Sequence, residues 1–286
     1  MQPMIGHATA AGACGELVQG QINPGTDFLI SLPIDLYARA RVEIKTNTRE
    51  ILCFPNHKTK SCLAVRAMLD HYDIENCGAA ITITSQIPES KGMASSTADI
   101  TAVCRATSHA IGVKPEPNLI AAIARKIEPS DGTMYTHPVM FNHRQGELLS
   151  SLGPLPEMDV LTIDLGGKVD TLDHNKEVKQ YTQNEIDQFI DLYTMVACGI
   201  KANDATLIGR AATMSANLNQ RFIFKAALKK LISIVNTYGA YGVCAAHSGT
   251  VVGILLDKEQ HPIKEIAATV RSSIHPHALP GINKTI

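Results

Sequence analysis

Pro88-Glu89-Ser90-Lys91-Gly92-Met93-Ala94-Ser95-Ser96-Thr97-Ala98-Asp99 separates a strand pattern from a helix pattern. Residues 80–85, Ala-Ile-Thr-Ile-Thr-Ser, alternate as a half-buried strand does. Pro88 and Gly92 interrupt that run, so residues 86–93 are expected to form a loop. Over residues 95–111, Ile100, Val103, Cys104, Thr107, Ala110 and Ile111 recur at helical spacing, and Gly112 closes the helix. The N–H groups of a first helical turn have no intrahelical partner and carry the positive end of the dipole, which suits an anion. Small residues there let backbone amides approach phosphate oxygens. The hydroxyls of Ser95, Ser96 and Thr97 suit phosphate or Mg²⁺, and Lys91 adds a point charge. The plainer alternative is a serine-capped connection. Ser96 and Asp99 form a Ser-x-x-Asp pattern, so Asp99 is expected to cap its own helix.

Several other nucleotide and nucleophile motifs are missing. No Gly-x-x-x-x-Gly-Lys-Ser/Thr, Gly-x-Gly-x-x-Gly or Gly-x-Ser-x-Gly occurs in the chain. Working outward, residues 37–44 alternate as a strand, and residues 118–126 read as a short helix stopped before Pro129. Residues 150–157, Ser-Ser-Leu-Gly-Pro-Leu-Pro-Glu, are the expected seam between two lobes, 1–150 and 151–286. A strand is expected at 159–164, helices at 185–197, 204–217 and 222–238, and strands at 243–246 and 251–256. Strands and helices without strict alternation indicate an α+β fold rather than a Rossmann sheet.

The chain has 286 residues, enough for a sizeable core without metal or disulfide staples. Its 26 Lys and Arg balance 27 Asp and Glu, which argues against non-specific binding to nucleic acid or to a membrane surface. The seven cysteines are odd in number and lack Cys-x-x-Cys spacing, as expected for buried thiols in a reducing cytoplasm. Cys244 with His247 supplies two zinc-type ligands and no further partner. No apolar run is long enough to span a bilayer, and the Ala-rich stretch at 8–13 does not read as a signal peptide.

The segment resembles the second motif of the GHMP kinases, Pro-x-x-x-Gly-Leu-Gly-Ser-Ser-Ala, with Ala94 in place of the second loop glycine. Two further motifs stand in the family's order: Ala13-Cys14-Gly15-Glu16-Leu17-Val18-Gln19-Gly20, and Ala245-Ala246-His247-Ser248-Gly249-Thr250-Val251-Val252-Gly253. Together they span most of the chain. The resemblance implies a two-lobed α+β fold with a cleft between the lobes, and transfer of phosphate from ATP with Mg²⁺. Within the superfamily, Lys91–Asp99, Ile127-Glu128-Pro129-Ser130-Asp131 and the third motif are most similar to the branch that phosphorylates free L-threonine for the aminopropanol linker of cobalamin. Homoserine or a related alcohol is the alternative acceptor, and a silent nucleotide-binding module is the alternative class.

The resemblance also implies residue roles. Residues Lys91, Gly92, Met93, Ala94, Ser95, Ser96 and Thr97 would cradle the nucleotide phosphates. Ser96 and Glu128 would hold Mg²⁺, with Ser95 a one-position alternative to Ser96. Asp131 is a candidate to orient or deprotonate the acceptor hydroxyl, although Pro129-Ser130-Asp131-Gly132 is also a strong turn sequence. Glu16 and Gln19 would face the substrate, Glu16 as partner of an ammonium group. Asp35 is a weaker candidate. His247, Ser248 and Gly249 would approach the phosphates or the substrate from the third-motif loop.

Overall fold

The computed structural model describes residues 4–166, 180–246, 248–274 and 281–286. Its spine is an antiparallel hairpin of two long strands, β1 (Ile5–Asn23) and β2 (Thr26–Thr46). Outside β2 lie β4 (Cys77–Ser85), antiparallel to it, and the edge strand β3 (Ile51–Phe54), parallel to β4. On the other flank β1 meets β8 (Gly242–Ala245) at Glu16 opposite Ala245. Then come β9 (Val251–Leu256), β7 (Asp159–Asp164) and β10 (Gly281–Lys284), all antiparallel. A hairpin of β5 (Val139–Asn142) and β6 (Glu147–Ser151) attaches to β2 through β5. Mixed strands with helices packed on them make an α+β fold, as expected.

The helices are α1 (Thr59–His71), α2 (Ser95–Ala110), α3 (Pro117–Ile127), α4 (Gln183–Ala202), α5 (Ala205–Leu218), α6 (Leu228–Tyr238) and α7 (Ile263–Ser273). The sequence pattern gave α2 one apolar stripe. In the fold it is buried almost all round, because β1 and β2 lie against one side and α1 and α3 against the others. Its small residues permit this. A Cβ on Gly6 of β1 would come 1.9 Å from the Ala106 carbonyl oxygen, so the strand reaches the helix backbone itself. That closeness accounts for β1, an Ala- and Gly-rich stretch with weak strand propensity that sequence reading left unassigned.

One core joins α1–α5 to the central strands, with Phe28, Phe141 and Phe189 fully buried. Each such side chain contributes roughly 1.5–3 kcal/mol relative to exposure. A second core packs α6 and α7 against β7, β8 and β9 through Leu231, Ile254 and Ile266. The expected strands at 159–164 and 251–256 have those bounds. The helix expected at 222–238 begins only at Leu228. Gln220 clasps the Lys225 backbone at both its N–H and its carbonyl, which holds residues 222–227 out of helical conformation. Helices α1 and α7 were not foreseen.

Candidate active site

The loop between β4 and α2 is held on two sides. Ala13 N–H of β1 donates to the Met93 carbonyl at 3.0 Å. From the third motif, the Thr250 and Val251 N–H groups both donate to the Lys91 carbonyl, at 3.0 and 3.1 Å. The three sequence motifs therefore meet at one place. Gly249 is required by this contact: a Cβ there would lie 2.2 Å from the Lys91 carbonyl group. Ala94, the residue before α2, adopts the left-handed conformation with φ 57° and makes no side-chain cap. The N-terminus of α2 thus stays open toward a cleft of about 270 Å³.

Ser96 in the first turn of α2 and Glu128 at the end of α3 face each other in this cleft, and Ser96 Oγ donates to Glu128 Oε1. Glu128 adopts extended backbone geometry, which ends α3 before Pro129 and turns the carboxylate inward. Its other oxygen, Oε2, accepts from Lys60 Nζ at 2.5 Å. Glu128 is therefore a buried, paired carboxylate. Two hard oxygen donors at a helix N-terminus fit a small hard cation, which uses one or two protein oxygens and completes its shell with phosphate and water. Among the described residues no group of three or more His, Cys, Asp or Glu is arranged to hold a metal. An ion here must take its remaining ligands from a nucleotide and water.

A second ion-pair cluster borders the cleft. Lys58 Nζ lies 2.5 Å from both Asp99 Oδ2 and Glu89 Oε1, and His57 Nε2 lies 3.3 Å from the same Glu89 oxygen. Burial raises the Asp99 carboxyl above its ordinary value, and the Lys58 ammonium works against that shift.

Asp131 lines the same cleft. Its backbone N–H donates to Thr97 Oγ1 at 3.2 Å, and the Thr97 hydroxyl donates back to Asp131 Oδ2 at 3.4 Å. Loss of solvent, then the negative charges of Glu16 and Glu128, push the Asp131 carboxyl up to about 7. A carboxylate at that value can take up a proton at neutral pH.

Glu16 and Gln19 line the same cleft from β1, where irregularities in the β1–β2 register on either side of Glu16 bend the strand. Ser215 Oγ accepts from the Gln19 N–H, and Asn219 Nδ2 donates to the Gln19 carbonyl, so α5 and the turn after it fix this segment. The side-chain Oε1 of Gln19 is buried with no protein partner. Lys225, also buried, donates from Nζ to the Gly249 carbonyl at 2.7 Å. Burial lowers its ammonium to about 8, while the negative charge of Glu16 acts in the opposite direction.

Several expectations need correction. Asp99 caps nothing; it is held by Lys58, and Ala94 stands at the cap position. Lys91 is not among the cleft-lining residues, since its ammonium pairs with Asp164 Oδ2 at 2.7 Å. Asp35 lies elsewhere, accepting from the Lys284 N–H and from Asn283 Nδ2. Gly92, Met93, Ala94, Ser95, Ser96, Thr97, Glu128, Asp131, Glu16, Gln19 and Ser248 do line one cleft. Gly249 sits behind it against Lys91. The role expected of His247, including the Cys244–His247 pairing, lies outside the described residues. Sequence reading missed Lys58, Lys60, Glu89 and Lys225. The only signal was Lys58-Thr59-Lys60 at the start of an uncapped amphipathic stretch.

Residues 58–139 match the GHMP kinases N terminal domain, and residues 197–273 match the GHMP kinases C terminal model. The chain belongs to the GHMP kinases. Its similarity to the L-threonine kinase of Salmonella typhimurium is 31% identity over 265 residues, covering 91% of this chain and 85% of that one. The fold of this GHMP kinase resembles the mevalonate kinase of Methanococcus jannaschii, with a TM-score of 0.72 at 20% identity over 98% of each chain. It also resembles a homoserine kinase from Cytophaga hutchinsonii, again with a TM-score of 0.72, at 16% identity over 98% of this chain and 94% of that one. The GHMP kinase architecture expected from the three motifs is the one found. No helix among the described residues is long and apolar enough to cross a membrane.

Proposed function

We propose that this GHMP kinase transfers the γ-phosphoryl group of ATP to the side-chain hydroxyl of free L-threonine, giving O-phospho-L-threonine and ADP. The observation that carries the amino-acid reading is the part of the cleft wall that β1 supplies. Glu16 and Gln19 line it, and Lys225 lies buried behind that wall, its ammonium near enough to Glu16 to feel its charge. An α-amino acid presents an ammonium and a carboxylate together. A carboxylate on the cleft wall, as Glu16 is, can pair with that ammonium through charge-assisted hydrogen bonds. The relative from Salmonella supports threonine among the amino acids.

In this reading the N–H groups at the start of α2, with Ser95 and Thr97 beside them, hold the phosphates. Mg²⁺ held at Ser96 and Glu128 would neutralise phosphate charge. Glu16 pairs with the ammonium, Gln19 lines the wall beside it, and Ser248 borders the cleft from the third motif, while Lys225 fixes that motif from behind through the Gly249 carbonyl. Asp131 orients the acceptor hydroxyl and takes its proton as transfer proceeds; a loose transition state needs little deprotonation before that. The two family-model matches fall one on each side of the seam at 150–157, which supports lobes at 1–150 and 151–286. The cysteine usage favours a cytoplasmic site of action, and the resemblance to the L-threonine branch favours a product destined for the aminopropanol linker of cobalamin.

L-Homoserine is the second reading, because it offers the same ammonium and carboxylate. The test is ADP release with Mg-ATP and L-threonine, L-homoserine, L-serine, D-threonine or no acceptor. L-Threonine-dependent release with O-phosphothreonine as product supports the proposal. Release with L-homoserine alone transfers it to that substrate. No acceptor-dependent release removes the kinase reading of this site.

A further inference from the structure

Lys60 is badly placed by local rules. It sits in the first turn of α1, where the helix dipole disfavours a cation, and that turn has no acidic residue to offset it. Its reason for being there is non-local: its ammonium lies against Glu128, 68 residues away. Glu128 then has one oxygen on a hydroxyl and the other on a cation, the two kinds of partner that a divalent ion would replace. The partners differ in freedom. The Glu128 side chain is 7% exposed, whereas Lys60 is 41% exposed and has a four-carbon stem to swing on.

We infer that Lys60 is an exchangeable counter-ion, neutralising Glu128 while the cleft is empty and moving to a phosphate oxygen when Mg-ATP arrives. The inference rests on the reading of Glu128 as a metal ligand. A buried carboxylate left without a positive partner is strongly unfavourable, so an empty site needs a substitute cation. A substitute on a flexible, half-exposed stem can leave without disturbing the fold. Entry of the metal requires the ammonium to go, and the phosphates entering at the α2 N-terminus give it a new partner. Lys60 is a positioning residue on this account. It lowers the affinity of the empty site for free divalent ions and favours the metal that comes bound to nucleotide.

The test uses Mn²⁺ as probe on the nucleotide-free protein, with free Mn²⁺ followed by electron paramagnetic resonance. Lys60→Met and Lys60→Gln should each bind Mn²⁺ at least about tenfold more tightly than the wild type, since a competing charge has gone. Lys60→Gln keeps a hydrogen-bond donor on Glu128 and covers the case in which Lys60→Met folds poorly. Unchanged Mn²⁺ affinity in the folded variants overturns the inference, because a fixed structural strut would give that result. Adding Glu128→Gln to Lys60→Gln should erase the gain. A gain that survives Glu128→Gln overturns the metal-ligand reading instead. With Mg-ATP, the Lys60 variants should show a raised KM for nucleotide, and an unchanged KM sinks the transfer of Lys60 to phosphate.

Discussion

Ser96 Oγ donates to Glu128 Oε1, fastening the first turn of α2 to the residue that ends α3. If this pair holds the nucleotide's metal, each half is needed. Glu128→Gln keeps the shape and removes the charge, and should lower kcat/KM by about 100-fold or more; Ser96→Ala should lower it less. Steady-state ADP release measures both. A Glu128→Gln enzyme within about threefold of wild type would remove the metal role.

Lys58 and Asp99 form an ion pair that solvent barely reaches, with side chains 11% and 5% exposed. Lys58→Met strands Asp99 and should cost about 3–5 kcal/mol in urea unfolding. The double variant Lys58→Met, Asp99→Asn should recover a large part of that loss. Equal instability in single and double variants would mean that Lys58 matters for packing and not for charge.

The Asp131 carboxyl, raised to about 7 in the fold, gives a pH signature with a definite sign. Between the unfolded value near 3.9 and 7, the folded state holds a proton that the unfolded state has lost. This group's contribution to stability is therefore complete at low pH and disappears as pH rises through 7. Asp131→Asn should raise the melting temperature at pH 8 and leave it nearly unchanged at pH 4. The rate of phosphoryl transfer should fall in the same variant. A melting difference that is flat with pH would show that Asp131 titrates normally.

At Gly249 the third motif touches the backbone of the second, with no room for a methyl group. Gly249→Ala should push the two loops apart at a cost of about 1–3 kcal/mol. It should also weaken nucleotide binding, because the Lys91 carbonyl loses its fixed partners at Thr250 and Val251. Calorimetric titration with ATP checks the second effect, and unaltered affinity would disconnect this contact from the phosphate site.

Much of the site was legible because its residues are close in sequence or carried by motifs. The loop from Gly92 to Thr97 announces itself through small and hydroxyl residues before a helical pattern. Glu128 and Asp131 were legible only beside that motif, since alone they look like a helix end and a turn. Lys58, Lys60 and Lys225 were not legible, because their partners Asp99, Glu128 and Gly249 lie 24 to 68 residues away. Lys91 and Asp99 misled for the matching reason: each sits where a local role is favourable, and each is taken by a distant opposite charge. β1 escaped notice because closeness to α2, and not strand propensity, selects its alanines and glycines.

Ala94 holds a left-handed turn that costs an alanine roughly 1–2 kcal/mol and a glycine far less. Backbone hydrogen bonds from Ala13 to the Met93 carbonyl and from Thr250 and Val251 to the Lys91 carbonyl hold the loop wound against that cost before any ligand reaches it, so the entropy of ordering is settled during folding. Ala94→Gly should produce a protein whose ATP binding releases more heat yet is no tighter, because the loosened loop must be ordered again at every turnover.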